Sequence, residues 1–498
     1  MFFPSLDEVK DISQNDEYKC IPISYELFSD VATPIEVLKI LKRISKHCYM
    51  LESVEDSQNW GRYSFLGFNP ILEFTCQNGE VRIRGDKNFK KLTDDEVVIK
   101  TDDPREIIKD LIVKNRAPKF DNLPPFAGGF VGYFAYDYIK YVEPSLNLDA
   151  QNQDQFKDID IMLFDKVIAF DNFKQKIILI ANIRLDNVEE NYENACKELK
   201  EIADLIKNGK KAEIVPLKLK SDFKPVFSKE KYCDMVLKAK NYIRDGDIFQ
   251  VVLSNRIEAD ISGSLFDTYR VLRTTNPSPY MFYFSSDDIE IAGASPETLV
   301  KLTDRTLYTF PLAGTRPRGK TEEEDLNLEK ELLADEKELA EHNMLVDLGR
   351  NDIGRIAEIG SVHVDKYLSV ERFSHVMHIG STVSGTLRSD LDSLSAIDSI
   401  LPAGTLSGAP KIRACEIINE LEDNKRGIYG GAIGYIDLSG NLDTCISIRI
   451  AFARNNKVFI RSGAGIVADS VPESEFEECL NKAAAVINAL KIADGGIE

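Results

Sequence analysis

The stretch Phe310-Pro-Leu-Ala-Gly-Thr-Arg-Pro-Arg-Gly319 decides between two folds for this chain. Two prolines fix the backbone on either side of Gly314 and Thr315, where open N–H groups, a hydroxyl and two guanidinium groups come together. Such a set can hold an anion. The acidic segment 320–352 follows and would repel that anion unless a divalent cation bridges the two. The stretch therefore predicts a carboxylate-binding loop next to a metal held by acidic side chains.

The same residues also fit the phosphate-binding P-loop pattern, in the form Gly314-Thr-Arg-Pro-Arg-Gly-Lys-Thr321. A P-loop is followed by a helix whose positive end faces the phosphates and whose apolar side packs on a parallel sheet. Here the first turn of that helix is Glu322-Glu-Glu-Asp325, which puts four negative charges beside a polyphosphate. A P-loop ATPase is therefore the distant alternative, and the sheet type decides it.

Tight turns between neighbouring strands indicate an antiparallel sheet. Segment 71–84 is typical of a hairpin that turns at Asn78-Gly79, and strands over 161–170 and 176–182 predict a second hairpin. Parallel strands cannot be joined so closely. The pattern predicts further strands over 248–257, 281–310, 373–383 and, as a group of three, 428–461, and helices over 35–46, 188–207, 228–244, 265–274, 320–352, 393–401, 410–421 and 473–490. The predicted fold class is α+β with largely antiparallel strands.

A linker divides the chain in two. Residues 207–225 are basic, are interrupted by glycine and proline, and lack helical periodicity. We predict an N-terminal domain over residues 1–215 and a second domain over residues 225–498. The sequence Gly-Gly-x-x-Gly-Tyr occurs at both 128–133 and 430–435, a weak indication that the halves contain related strands.

Composition and charge exclude several classes of function. The chain has 498 residues and a formal net charge of −20, which disfavours nucleic acid or an anionic membrane as a partner because phosphate binding needs a basic surface. No apolar run reaches the ~20 residues of a membrane span, and the first residues lack the parts of a signal peptide. The eight cysteines and five histidines show no metal-binding spacing, so we expect reduced thiols and no zinc. We expect a cytoplasmic protein.

Two predicted helices carry paired glutamates. Glu338 and Glu341 are three residues apart, and so are Glu475 and Glu478, so each pair lies on one side of its helix. Four carboxylates could enclose one hard cation. Glutamates at this spacing are more often simply solvated, and the spacing alone leaves both interpretations open.

Two loops of small residues could bind further anionic groups. Pro402-Ala-Gly-Thr-Leu-Ser-Gly-Ala-Pro-Lys411 ends at a predicted helix start, and Arg461-Ser-Gly-Ala-Gly465 offers open backbone after a strand. Each could also be only a tight turn. With Arg449 and Tyr429 on neighbouring strands, the loops indicate a small substrate that carries several negative charges.

Two side chains could transfer protons. His378 follows a predicted strand and could act near neutral pH, and Glu297 follows a proline and could have a raised pKa in a closed pocket. Either residue could instead be structural.

Several motifs resemble those of the chorismate-utilising enzymes, most closely the anthranilate synthase component I group. They are Ile248-Phe-Gln-Val-Val-Leu-Ser254, Asn276-Pro-Ser-Pro-Tyr-Met-Phe282, Ala294-Ser-Pro-Glu297, and the segments 311–319, 338–352, 402–411 and 481–483. They follow the family order from about residue 225 to 490, and Leu51-Glu-Ser53 and 61–65 extend the similarity into the N-terminal half. The resemblance implies a sandwich of two sheets flanked by helices, and a lyase.

The resemblance also implies roles for single residues. Glu341 and Glu478 would bind Mg²⁺. Glu297 would protonate the departing C4 hydroxyl of chorismate, with His378 and Thr315 assisting. The substrate would be held by Gly314, Thr315, Thr405, Tyr429, Arg449, Gly463, Ala464, Gly465 and Lys482.

The residues at two positions indicate which nucleophile a member of this family uses. Relatives that add water carry a lysine where this chain has Gln250, and aminodeoxychorismate synthases carry one where this chain has Ala313. Without either amine, external ammonia is the implied nucleophile, and anthranilate and pyruvate are the implied products. A relative that makes aminodeoxychorismate, isochorismate or salicylate remains the alternative. No cysteine lies in a G-x-C-x-G elbow, so a partner glutamine amidotransferase subunit is implied as the ammonia source.

The resemblance to the anthranilate synthase component I group also implies the first committed step of tryptophan biosynthesis and inhibition by tryptophan. The matching inhibitor-binding positions here are Glu52, Ser53, Pro279, Tyr280, Met281 and Cys445. The neighbouring Cys48-Tyr-Met50 departs from the leucine run usual in the family, so the response to tryptophan could differ.

Overall fold

The computed structural model describes residues 2–53, 61–86, 91–372 and 376–497. The strands in these residues are β1 (Phe2–Phe3), β2 (Cys20–Phe28), β3 (Cys48–Glu52), β4 (Tyr63–Phe68), β5 (Leu72–Gln77), β6 (Glu80–Gly85), β7 (Glu96–Lys100), β8 (Gly129–Phe134), β9 (Ile159–Phe164), β10 (Lys166–Asp171), β11 (Lys176–Arg184), β12 (Lys218–Leu219), β13 (Lys224–Pro225), β14 (Gln250–Ser262), β15 (Tyr280–Ser285), β16 (Glu290–Ser295), β17 (Thr298–Thr303), β18 (Thr306–Thr309), β19 (Leu312–Pro317), β20 (His363–Arg372), β21 (Val376–Thr386), β22 (Gly408–Ala409), β23 (Ala432–Asp437), β24 (Leu442–Ile446), β25 (Ile450–Arg454) and β26 (Lys457–Ile466). The helices are α1 (Leu6–Ile12), α2 (Pro34–Ile44), α3 (Arg105–Val113), α4 (Val188–Asn208), α5 (Lys229–Arg244), α6 (Phe266–Thr275), α7 (Glu322–Ala334), α8 (Glu336–Gly354), α9 (Ser393–Ile400), α10 (Lys411–Glu422) and α11 (Pro472–Ala493).

Two large sheets form the centre of the molecule. The first runs β1-β2-β11-β10-β4-β3-β15-β16-β25-β26-β14-β12, with β13 and β22 also paired to β14. The second runs β19-β21-β18-β17-β24-β23-β8-β9-β5-β6-β7, with β20 also paired to β21. Neighbouring strands are antiparallel, as at β10 with β11 and at β14 with β26. The predicted α+β fold with two largely antiparallel sheets is therefore confirmed.

Because side chains alternate in direction along each strand, the strands contribute to separate hydrophobic cores on the two faces of a sheet. In β15, Phe282 and Phe284 lie in an aromatic core between the sheets, whereas Met281 and Tyr283 lie in the core under the helices of the first sheet. Successive side chains of a strand point to opposite faces, so each strand contributes to two cores. The helices α2, α4, α6 and α11 cover the first sheet, and α3, α8 and α9 cover the second.

Both sheets contain strands from either side of the predicted linker. In the first sheet β3 pairs with β15, and in the second sheet β8 pairs with β23. The two Gly-Gly-x-x-Gly-Tyr segments are thus direct neighbours, with Gly132 opposite Gly434. The division into residues 1–215 and 225–498 stays a prediction.

The structure corrects four predicted elements. The strand expected over 161–170 is split at Asp165, whose carbonyl oxygen accepts from the Asn182 backbone N–H at 2.8 Å while the chain crosses from the second sheet to the first. The acidic helix is also split, because the Asp335 side chain accepts from the N–H groups of Lys337 and Glu338 and starts a new helix.

The other two corrections concern strands. The segment 428–461 contributes to four strands, not three, and β20 was not predicted. The strand expected from residue 373 begins at Val376 in the structure, and residues 373–375 lie outside the described part of the chain.

Among the described residues, none of the helices combines the length and the apolar character that crossing a membrane requires.

Candidate active site

The stretch that decides the fold forms an edge strand of the second sheet. β19 pairs with β21, and a register shift between Ala313 and Thr315 leaves Gly314 as a bulge with φ of 69°. A side chain at Gly314 would be strained, and its Cβ would lie 3.2 Å from a carboxylate oxygen of Glu338. Gly314 therefore brings the backbone close to the acidic helix α8, as the predicted anion loop requires.

The structure argues against a phosphate-binding loop at this place. The Gly319 N–H donates to Asp325 at 2.8 Å, and the Lys320 N–H donates to Glu324 at 2.8 Å. These amides would have to face the phosphates in a P-loop. The antiparallel sheet contradicts that fold as well.

The two arginines of the stretch do not act as the expected anion cradle. Arg316 contacts Asp335 at 2.8 Å and Glu331 at 3.0 Å, and Arg318 contacts Asp325 at 2.8 Å. The guanidinium groups thus hold the strand against the acidic helices α7 and α8. This part of the sequence prediction is wrong, since the acidic side chains themselves satisfy the arginines.

His378 lies opposite Thr315 in the β19–β21 pair. Its Nδ1 is 2.9 Å from the Gly314 carbonyl oxygen and 3.1 Å from the Thr315 hydroxyl. Because a carbonyl oxygen only accepts, Nδ1 carries the hydrogen. Burial lowers the pKa of His378, although the bond to Gly314 opposes this. The imidazole is therefore neutral at pH 7 and oriented by the backbone of the loop.

Glu297 lies in the turn between β16 and β17. The Ile446 N–H donates to its carbonyl oxygen at 2.9 Å, and the Thr405 hydroxyl donates to its carboxylate at 3.0 Å. Burial raises the pKa of Glu297 to about 7, and Thr405 and Lys482 limit the rise. A carboxyl group that is half protonated near neutral pH is suited to give a proton to a leaving group.

Small residues of β26 open space beside polar groups. An added Cβ at Gly463 would lie 3.1 Å from the Tyr429 hydroxyl, and one at Gly465 would lie 2.6 Å from the Gln250 amide nitrogen. The Ala464 side chain is buried among the helices on the other face, so only its backbone can face a ligand. Carboxylates can therefore approach the backbone of this strand closely.

A cleft of about 420 Å³ lies next to this strand and is lined by Arg449, Ser474, Glu477, Glu478, Asn481 and Lys482. The Lys482 ammonium group donates to the Gly463 carbonyl oxygen at 3.2 Å and contacts Glu478 at 2.6 Å. Burial lowers the pKa of Arg449, opposed by Tyr429. Three of the predicted substrate and metal residues, Arg449, Glu478 and Lys482, thus line one cleft.

The predicted metal ligands come from two helices. Burial raises the pKa of Glu341, and the negative charges of Glu338 and Glu478 raise it further, against Lys337 and Lys482. A hard cation would stabilise the charged form of a carboxylate that has other carboxylates beside it. In the described ranges, however, no three acidic, cysteine or histidine residues are close enough to enclose a metal ion.

The predicted inhibitor residues lie on both sides of the first sheet: Glu52 and Met281 face the helix side, whereas Tyr280 and Cys445 belong to the core between the sheets. Glu52 of β3 is opposite Met281 of β15, and its carboxylate accepts from Arg273 at 2.9 Å. Tyr280 donates to Asp443 at 2.8 Å and lies 3.0 Å from the hydroxyl of Thr298, which is paired with Cys445.

Ser53 follows β3. Its hydroxyl is buried and has no hydrogen-bond partner within the described part of the chain. Residues 54–60, which come next, lie outside that part.

Sequence reasoning missed several residues of the site. Ser474 and Glu477 line the cleft but belong to no motif. Only Ser474 could have been indicated, by its position one turn before Glu478. A buried ion cluster of Glu422, Arg426 and Arg461 was missed too. Glu422 and Arg426 are four residues apart at a predicted helix end, which is a detectable signal.

Comparison with known proteins identifies relatives over the whole chain. The profile of the family described as chorismate binding enzyme matches residues 46–488. Anthranilate synthase component 1 of Acetivibrio thermocellus is 46% identical over 501 residues, which covers 99% of both chains. The protein of the same name from Aquifex aeolicus (strain VF5) is 45% identical and covers 98% of both chains.

Solved structures agree with these relatives. The crystal structure of anthranilate synthase component I from Streptococcus pneumoniae TIGR4 matches with a TM-score of 0.73 and 38% identity, over 87% of this chain and 93% of that one. MenF, the menaquinone-specific isochorismate synthase from Escherichia coli, matches with a TM-score of 0.70 at 19% identity, over 97% of this chain and 98% of that one. The second match shows a shared fold only.

Proposed function

The chain belongs to the chorismate binding enzyme family, and from this premise we propose that it converts chorismate and ammonia into anthranilate and pyruvate. It is an enzyme of this family, with a lyase-type reaction. The observation that carries the proposal is the turn carboxyl group of Glu297, whose pKa is about 7 and which Thr405 hydrogen-bonds at 3.0 Å. This group can protonate the C4 hydroxyl as it leaves.

Binding of the substrate follows from the shape and charge of the cleft. Arg449, Lys482 and the Tyr429 hydroxyl would hold the carboxylates of chorismate, together with the backbone at Gly463–Gly465 and the loop of Gly314 and Thr315. The substrate charge would replace part of the water that Arg449 loses on burial. His378 would assist by keeping Thr315 and the loop carbonyl in place.

The reaction balances with the groups present. Ammonia forms a bond to C2 of the ring as the C4–O bond breaks, and the hydroxyl leaves as water with the proton of Glu297. The added nitrogen gives up one proton, which balances the proton that Glu297 donated. The bond between C3 and the ether oxygen then breaks, and the C2 proton ends on the methylene carbon of the departing group, which leaves as pyruvate; aromatisation drives this step. Side chains at positions 250 and 313 favour ammonia over water or an internal amine, because Gln250 and Ala313 can act neither as strong base nor as nucleophile.

We propose that Glu341 and Glu478 would hold a magnesium ion, with the substrate completing its ligands. When bound, Mg²⁺ supplies positive charge to a substrate carboxylate. The proposal is supported by the pKa of Glu341, which burial raises and which the charges of Glu338 and Glu478 raise further. Lys482 would have to leave Glu478 for the ion to bind.

A glutamine amidotransferase subunit would supply the ammonia in the cell. The component 1 name of the relatives supports a second component, and the cysteines of this chain lack the required elbow. Tryptophan would bind at Glu52, Ser53, Pro279, Tyr280, Met281 and Cys445. The Ser53 hydroxyl supports this, since it is buried and has no hydrogen-bond partner among the described residues. The contact of Tyr280 with Thr298, the residue after Glu297, supports it as well.

Anthranilate fluorescence tests the proposal. The purified chain should form anthranilate from chorismate, Mg²⁺ and a high concentration of ammonium without a partner, and tryptophan should suppress the signal. Glutamine should replace ammonium only when an amidotransferase subunit is added. Consumption of chorismate without anthranilate would contradict the proposal and favour an isochorismate or aminodeoxychorismate reaction. No consumption at all would refute it.

A further inference from the structure

A buried ion cluster lies behind the candidate substrate site. Glu422, at the end of α10, accepts from Arg426 at 2.6 Å and from Arg461 at 2.7 Å. Each of the three residues exposes only 2% of its surface. Ions this deep in a protein lose their water, and they persist only where every polar atom has a partner.

Arg426 is not the only group that neutralises Glu422. The carboxylate already accepts from Arg461 and from both the backbone N–H and the hydroxyl of Ser254, at 2.7 and 2.9 Å. Burial alone would raise the pKa of Glu422, but Arg426, then Arg461 and the Ser254 N–H, hold it below its usual range. Neutralising Glu422 therefore does not explain all the hydrogen bonds that Arg426 makes.

The remaining donors of Arg426 reach segments that form the substrate site. One nitrogen donates to the Leu406 carbonyl oxygen at 2.6 Å, and another donates to the Val252 carbonyl oxygen at 2.7 Å. Leu406 directly follows Thr405, and Val252 is paired with Gly465. The guanidinium group also lies 5.8 Å from the ring centre of Tyr429.

We propose that Arg426 is a positioning residue, which holds the Leu406 carbonyl and thereby keeps the Thr405 hydroxyl within hydrogen-bond reach of Glu297. The inference rests on the proposed function, in which Glu297 is the proton donor. A short turn, Gly404–Leu406, carries both Thr405 and the carbonyl that Arg426 binds. A shift of that carbonyl would move Thr405 with it.

The consequence is a change in the pH profile, which a general loss of structure would not produce. The Thr405 hydrogen bond stabilises the charged form of Glu297 and so lowers its pKa. Loss of the bond should raise that pKa. The alkaline fall of kcat/KM, which marks deprotonation of the acid, should then move to higher pH.

The test compares Arg426→Lys with Thr405→Val, measuring kcat/KM for chorismate against pH with free ammonia held constant at each pH. Lysine keeps the positive charge but cannot reach Glu422, Leu406 and Val252 together. We expect each variant to move the alkaline limb upward by about 0.5 to 1 pH unit. The double variant should show the shift of one, not the sum of two, because both changes remove the same hydrogen bond.

Glu422→Gln is the matched control. It removes the buried negative charge but leaves the Arg426 bond to Leu406, so it should lower the melting temperature without moving the limb. The inference would be overturned if the alkaline fall of kcat/KM in Arg426→Lys occurred at the same pH as in the wild type. It would also be overturned if the double variant showed the sum of the two single shifts. Absence of anthranilate from the wild type would refute the proposed function instead.

A measurement on the wild type decides the matter if Arg426→Lys does not fold. The N–H groups of Leu406 and Ser407 both donate to the Ala403 carbonyl oxygen at 3.0 Å within the turn that Arg426 holds. Their hydrogen exchange should be as slow as that of the β14 and β26 amides. Faster exchange through local opening would show that the turn is not held, and would overturn the inference.

Discussion

Lys482→Met should strengthen the binding of a divalent cation while it weakens turnover. The Lys482 ammonium group contacts Glu478 at 2.6 Å, and the two side chains are 41% and 49% exposed. An ion pair this exposed contributes about 0.2–1 kcal/mol, which corresponds to about 1.4- to 5-fold in affinity. The cation must break this contact, so its removal should raise the affinity of the site by about that factor. Lost contact with the substrate should at the same time raise KM for chorismate.

Titration of Mn²⁺, followed by electron paramagnetic resonance without chorismate, measures the affinity directly. Methionine preserves most of the length and apolar contact of the lysine stem, so the change is mainly one of charge. Lys337→Met is the matched control. Lys337 opposes the raised pKa of Glu341 only through its charge, so its removal should have a smaller effect. Glu478→Gln should reduce binding strongly.

The reasoning would be refuted by a Lys482→Met variant that binds Mn²⁺ no better than the wild type while Glu478→Gln also leaves binding unchanged. In that case Glu478 would not be a ligand, and its contact with Lys482 would be only a surface ion pair.

Three further predictions concern the acid, the nucleophile pocket and the fold. Glu297→Gln should lower kcat by about 10² to 10⁴-fold with little change in chorismate affinity, and wild-type kcat/KM, with free ammonia held constant, should fall as pH rises through about 7 because Glu297 loses its proton there; a pH-independent profile would remove Glu297 as the acid. Ala313→Lys should reduce anthranilate formation, since Ala313 is buried beside the Gly314 bulge and a second amine would compete there; an unaffected rate would place position 313 outside the site. Gly132→Ala should destabilise the fold by about 3 kcal/mol or more, since its φ is 154° and an added Cβ would lie 2.1 Å from the Asp160 carbonyl oxygen; a melting temperature equal to that of wild type would contradict this.

Local patterns in the sequence predict most helices and hairpins of this fold. The hairpin at Asn78-Gly79 forms with both residues at positive φ, and α11 spans the region predicted for the last helix. The sequence does not reveal where the chain passes from one sheet to the other. Residues 161–170 are apolar except for Asp165 and Lys166, and nothing in that pattern shows that the chain changes sheets there, where the Asp165 carbonyl oxygen accepts from the Asn182 N–H.

Residues of the candidate site could be predicted where they lie in a recognisable motif. They could be predicted less well where their role depends on contacts made in the folded chain. Glu297 lies in a quoted motif, whereas His378 and Arg449 lie outside the motifs and were assigned from the family resemblance. The raised pKa of Glu297 depends on burial that the sequence does not report. The arginines of the opening stretch were misjudged, because their partners Asp325, Glu331 and Asp335 lie on helices whose packing was unknown. Which acidic side chain pairs with a given arginine depends on how the helices pack, and local sequence patterns do not show this.

The interleaving of strands from both halves constrains how this chain can fold during synthesis. One neighbour of β3, strand β15, is synthesised only about 230 residues after β3. The distance along the chain from β8 to its neighbour β23 is longer still. Until then the nascent N-terminal half has unpaired strand edges, which are prone to join other chains. Closing such distant pairs is slow, since the entropy of a long loop must be overcome first. We expect slow folding, dependence on chaperones and aggregation of truncated chains to accompany this topology.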